Sequence, residues 1–129
     1  MMLVSVIIPC FNVEDYISEC IESVVSQSYH ELEIICIDNN STDYTWSLLL
    51  DLKNKYPKIV VAQEMKKGAN AARNKGLSVA NGDWIQFLDA DDLISESKIK
   101  HQLNLIQACG FPVSFVAGAY IKKSIDGKE

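Results

Sequence analysis

Asp89-Ala90-Asp91-Asp92 places three carboxylates within four residues. Acids so close repel one another, and at least one is pushed toward its neutral form unless a cation joins them. Carboxylate oxygens suit hard ions such as Mg²⁺ or Mn²⁺, commonly held by one or two carboxylates together with substrate phosphates. A diphosphate would then supply the remaining ligands. The plainer alternative is that Asp91 or Asp92 caps the helix that follows. Two further polar clusters stand earlier in the chain: Pro9-Cys10-Phe11-Asn12 with Glu14, and Asp38-Asn39-Asn40-Ser41-Thr42-Asp43. Taken singly, each reads equally well as a turn. Arg73 lies among small residues between Gly68 and Gly76. Its guanidinium could form paired bonds to a phosphate or carboxylate, or be a solvated surface charge. The segment has neither the Gly-Lys-[Ser/Thr] ending of a Walker loop nor GxGxxG spacing.

The elements that must position these groups follow from hydropathy. Leu3 to Pro9 predicts a first strand, ended by a proline that cannot donate to a ladder. Tyr16, Ile17, Cys20, Ile21, Val24 and Val25 make one apolar helical stripe. Leu32 to Ile37 predicts a second strand with one polar residue, as for a strand covered on both faces. Ser41-Thr42-Asp43 offers N-cap candidates for a helix through Trp46, Leu49, Leu50 and Leu52, which Pro57 stops. Lys58 to Gln63 predicts a third strand. Ala69 to Ala80 predicts a third helix, closed by Asn81-Gly82 as a left-handed C-cap. Trp84 to Leu88 is a fourth strand running into Asp89, and Ser95 to Ala108 a helix on Ile99, Leu103 and Ile106. Val113 to Ile121 predicts a fifth strand. Ile125 to Lys128 is a hairpin signal without its returning strand, which predicts more chain beyond residue 129. Strands alternating with helices predict a parallel sheet, whose ligands bind outside the carboxyl ends of the strands. All three polar clusters fall at such ends.

Composition sets the outer bounds. The chain has 129 residues, 48% hydrophobic and 22% charged, enough for one ordinary core. Its net charge of -5, without a basic stripe, argues against nucleic acid as the main partner. No apolar run approaches the roughly 20 residues of a membrane span, so a cytoplasmic chain is expected. Cys10, Cys20, Cys36 and Cys109 are scattered without CxxC pairing, which reads as reduced, mostly buried thiols rather than a zinc site.

Four segments in order now form a pattern: Ser5 to Asn12, Ile37 to Asp43, Gly68 to Gly76, and Gly82 to Asp92. Together with the later Val116 to Tyr120 and Asp126-Gly127, they resemble the nucleotide-sugar half of a family 2 glycosyltransferase. The resemblance implies a Rossmann-like GT-A fold, an α/β/α three-layer sandwich with a mainly parallel sheet, with residues 1–129 as one domain. It implies a nucleotide-sugar donor, a UDP-sugar by preference, and a glycan or lipid-linked acceptor. Asp38 matches the acid that accepts the base N–H. Pro9, Phe11, Asn12, Glu14 and Asn40 match the loops framing the nucleoside, and Arg73 matches an arginine near base and phosphates. Asp89 and Asp91 match the DxD pair around Ala90, the first toward the ribose and the second toward Mn²⁺ or Mg²⁺. Asp92 is their neighbour.

Two departures stand out. The family commonly has Asp-Asp-Gly-Ser where this chain has Asp38-Asn39-Asn40-Ser41. Asn tolerates left-handed backbone, so Asn40 can replace the glycine sterically, while Asn39 removes a charge and could alter base or sugar preference. The acidic general base of inverting members lies well past the DxD, so it is expected beyond residue 129. The resemblance thus implies a piece that binds donor and metal but transfers sugar poorly, peripheral at the inner membrane face through parts outside it. A non-catalytic nucleotide-binding module is the rival reading. A phosphatase or receiver-like domain with an Asp nucleophile is a weaker one, because the acids follow the fourth strand without Thr/Ser and Lys partners.

Overall fold

The computed structural model describes residues 2–108. Cys109, the expected strand over 113–121 and the hairpin signal over 125–128 lie outside the described residues. The elements alternate as β1 (Val4–Cys10), α1 (Ile17–Val25), β2 (Leu32–Asp38), α2 (Thr45–Lys55), β3 (Ile59–Gln63), α3 (Ala69–Val79), β4 (Trp84–Phe87) and α4 (Lys98–Ala108). The four strands are parallel in the order β3-β2-β1-β4. The order reverses between β1 and β4.

Alternating residues of β1 face two different cores. Val4, Val6, Ile8 and Cys10 pack with Ile17, Cys20, Ile21 and Val24 of α1, Leu49 and Leu52 of α2, and Ile99 and Leu103 of α4. Ile7, with Ile35 and Ile37, faces Ala72 of α3 on the other side. Right-handed crossovers put α1 and α2 on one face, and the return from β3 to β4 puts α3 on the other. The result is the expected three-layer sandwich. Close approach of α3 needs its small residues: a Cβ added at Gly76 would stand 2.5 Å from Ile7 Cγ2.

Three local expectations are corrected. β1 does not stop at Pro9 but pairs through it to Cys10, opposite Asp38. Ile7 O accepts from Leu88 N on the β4 side, and residues two apart face the same side. Pro9 therefore points its missing N–H where the β4 ladder has already ended. Asn81-Gly82 is not a left-handed cap, because positive φ among the described residues occurs only at Asn12, Asn40 and Gly68. Gly82 is small for another reason: a Cβ there would meet Ser5 Oγ at 2.4 Å and Ser5 N at 2.6 Å. Its N–H donates to Ser5 Oγ at 2.8 Å, and Ser5 donates to the Glu33 carboxylate that also takes the Asn81 N–H. Finally, α2 begins at Thr45 after Tyr44, which makes no side-chain cap. Asp43 instead accepts the Thr45 N–H at 2.9 Å from one position earlier.

Candidate active site

The loops after β1, β2 and β4 meet at the carboxyl edge of the sheet, beside the point where strand order reverses. Such a crevice is where open α/β sheets take ligands. Asp89, Asp91 and Asp92 are exposed there, and their ligand oxygens all lie within 4.8 Å of one another. Ala90 between them is buried at 4% exposure, so the chain alternates between an anchored alanine and outward acids. Three hard oxygen donors at this spacing fit Mg²⁺ or Mn²⁺. Among the described residues this is the one group of three or more acidic, Cys or His side chains that could close on a single ion.

At the end of β2, Asp38 is 1% exposed and its Oδ1 is buried without a hydrogen-bond partner. Buried carboxylate oxygens are normally satisfied, so this orphan at a strand end is an acceptor with unused capacity. Asn40 has φ 62, the left-handed backbone for which an asparagine can stand in for glycine.

Several expected nucleoside residues turn out to brace the loops as well. Asn12, also left-handed at φ 51, accepts the Thr42 N–H on Oδ1 at 2.8 Å, and its own N–H donates to Ser41 Oγ at 3.0 Å. Glu14 Oε1 accepts the Tyr44 N–H at 3.1 Å while its N–H donates to Asp43 Oδ2 at 3.3 Å. Burial pushes the Asp43 carboxyl up, but bonds from Thr45 and Glu14 outweigh it and hold it below its usual value. Phe11 is half exposed on this rim, and Pro9 lies beneath it in β1. Arg73 sits on α3, and its Nη1 donates within that helix to Asn70 Oδ1 at 3.2 Å.

Asn39 has a role that the sequence pattern did not suggest. Its Nδ2 donates to the carbonyls of Glu64 and Lys66, both at 2.8 Å, and its Oδ1 accepts the Gly68 N–H at 3.0 Å. This carboxamide pins the β3–α3 loop beside a cavity of about 380 Å³ lined by Lys66, Lys67 and Gly68 through Ala71, with Asn74. The signal was the departure from Asp-Asp-Gly-Ser; its partners, distant in sequence, were not visible there. Beneath the rim, Cys10, Cys20 and Cys36 are free and buried. Burial, then Cys36 and the acidic loop, push the Cys20 thiol up, which keeps it protonated and inert.

The sequence profile of glycosyl transferase family 2 matches residues 5–128. The minor teichoic acid biosynthesis protein GgaB of Bacillus subtilis is 35% identical over 96% of this chain and 15% of its own length. An Escherichia coli protein, UDP-Glc:alpha-D-GlcNAc-diphosphoundecaprenol beta-1,3-glucosyltransferase WfaP, is 40% identical over 83% of this chain and 42% of its own. Among solved structures, Staphylococcus aureus TarS 1–349 in complex with UDP superposes with a TM-score of 0.76 at 32% identity, covering 83% of this chain and 32% of that one. The mannosyltransferase PcManGT of Pyrobaculum calidifontis, with GDP-Man and Mn²⁺, gives 0.77 at 26% identity, covering 81% and 32%. The chain therefore spans less than half the length of these relatives. No helix among the described residues is long and apolar enough to cross a membrane. The chain belongs to glycosyl transferase family 2 and has the GT-A fold.

Proposed function

We propose that residues 1–129 are the donor-binding domain of a metal-assisted, inverting hexosyltransferase. Its donor is a nucleotide-diphosphate sugar, UDP-linked by preference, and its acceptor a glycan or lipid-linked glycan on the cytoplasmic face of a membrane. The observation that carries this reading is the trio Asp89, Asp91 and Asp92 at the switch point of the sheet. The names of the relatives support it: UDP in one complex, GDP-Man with Mn²⁺ in another, and UDP-Glc with alpha-D-GlcNAc-diphosphoundecaprenol in the name of WfaP.

Asp91, with Asp89, would hold the divalent ion, whose chemistry when bound is to neutralise the diphosphate as it departs. Asp89 would also serve the ribose side. Asp38 accepts the base N–H on its orphaned oxygen. Pro9, Phe11 and Asn40 frame the nucleoside, while Asn12 and Glu14 act by holding the loops in register. Arg73 serves the base or phosphate side from α3. Deprotonation of the acceptor hydroxyl, worth about 10²–10⁴-fold, is assigned to a carboxylate outside this chain, since Glu14 and Asp43 are engaged in bracing.

A thermal-shift panel of UDP-, GDP- and dTDP-sugars with and without Mn²⁺ tests the reading. At a ligand concentration ~100 times Kd the stabilisation should reach about 2.7 kcal/mol. The expected result is a metal-dependent shift with one nucleotide series. Absence of a shift with every nucleotide, with or without Mn²⁺, overturns it.

A further inference from the structure

Between the end of β4 at Phe87 and the start of α4 at Lys98, the chain forms no regular element. Its one internal backbone bond at the acidic cluster runs from Asp92 N to Asp89 O at 3.0 Å. Three like charges on such a loop need an external support. One face of α1 supplies it.

Cys20 and Ser23 stand three apart on one face of α1, and Gln27 follows just past the helix end at Val25. Cys20 Sγ donates to the Asp89 carbonyl at 3.6 Å. One turn on, Ser23 Oγ accepts the Ile94 N–H at 3.3 Å. Past the end of the helix, Gln27 Nε2 donates to the Ser95 carbonyl at 2.6 Å and to the Ser23 carbonyl at 3.1 Å. Gln27 Oε1 accepts the Ile99 N–H at 3.1 Å, one of the first-turn donors of α4 that lacks a helical partner. Next to Gln27, Ser28 N donates to the Glu96 carbonyl at 2.8 Å. The loop is thus fastened at the first of the three acids and again after the last.

Gln27 is 1% exposed. Its site requires a donor at one end and an acceptor at the other, which only a carboxamide provides and which also fixes the orientation of the amide. Leucine would orphan a buried N–H and carbonyl. Glutamate would keep the acceptor but turn an oxygen against two carbonyls.

We propose that this face of α1, together with the turn that follows it, positions the cation site, with Gln27 the principal positioning residue. It acts through the loop and touches neither ion nor nucleotide. The inference rests on the reading of Asp89, Asp91 and Asp92 as metal ligands.

The test is a titration of the 129-residue chain with UDP, in Mn²⁺ and in EDTA, well below the melting temperature. In folded Gln27→Leu and Gln27→Glu, UDP affinity in Mn²⁺ should fall about tenfold or more, while affinity in EDTA stays within about twofold of wild type. Asp91→Asn gives the same split by loss of a ligand. Unchanged Mn²⁺-dependent affinity in folded Gln27→Leu overturns the proposal, as does an equal loss with and without Mn²⁺. Should neither variant fold, amide exchange in the wild type decides. The Ile94 and Ile99 amides should be protected and should slow further with Mn²⁺ and UDP; exchange at unprotected rates, or without response to Mn²⁺, overturns the proposal. A wild-type chain that binds UDP equally in Mn²⁺ and EDTA overturns the metal reading instead, whatever the exchange at Ile94 and Ile99.

Discussion

Asn39 gives two protons to loop carbonyls and takes one from the Gly68 amide. An aspartate there would keep the acceptor and face the Glu64 and Lys66 carbonyls with a bare oxygen. Asn39→Asp should therefore destabilise the chain by about 1–3 kcal/mol, read by urea denaturation. The new carboxyl would favour its protonated form in the fold, so the loss should grow as pH rises from about 4. Stability equal to wild type at neutral pH would remove Asn39 as the clamp of the β3–α3 loop. Its local neighbours announced a turn, and the left-handed Asn40 was readable from an asparagine standing where the family pattern has glycine. The clamp was not, because its partners lie 25 to 29 residues away and meet it only when β2 and β3 pair.

At the scale of elements, α3 lies against β1 through Gly76 and Ala72. Gly76→Ala would drive a methyl into the branched end of Ile7, since the distance to Cγ2 would be 2.5 Å. Overpacking of this kind costs about 1–3 kcal/mol. Paired with Ile7→Ala, the double variant should lose less stability than the sum of the single losses, a non-additivity that a double-mutant cycle measures.

Two carboxylates join one element to another. Burial pushes Glu33 up, but bonds from Ser5, Asn81 and Gly82 outweigh it and hold its carboxyl below the ordinary value, as for Asp43. A carboxyl lowered in the fold adds stability that is present above its unfolded pKa and lost as pH falls through the folded one. Melting temperature should accordingly fall on acidification below about pH 4. Glu33→Gln should flatten that fall, and a variant as acid-sensitive as wild type would exclude Glu33 as a source. Apolar runs, helical spacing and turn residues revealed the eight described elements; Pro9 and Gly82 were misread because their reasons lie across the sheet, in an ended ladder and in a serine beside the backbone.

For the molecule as a whole, the sheet order β3-β2-β1-β4 puts the three polar clusters on one rim. The chain spans 15% of GgaB and 42% of WfaP. With the acceptor base assigned outside it, sugar transfer by this chain alone should run about 10²–10⁴-fold slower than in a full-length relative, measured by release of UDP in the presence of acceptor. Transfer at a comparable rate would place the base within residues 1–129.

The sequence by itself determined the alternation of strands and helices, the apolar faces, the acidic run at Asp89 to Asp92 and the family pattern, because these are short-range properties of residue type and spacing. Only the tertiary structure decided which loops meet and what holds them. The orphaned oxygen of Asp38, the clamp of Asn39 and the row of Cys20, Ser23 and Gln27 under the acidic loop exist because parallel pairing and crossover handedness bring distant backbone groups together. A hydrogen bond between residues some 70 apart leaves no periodic trace along the chain.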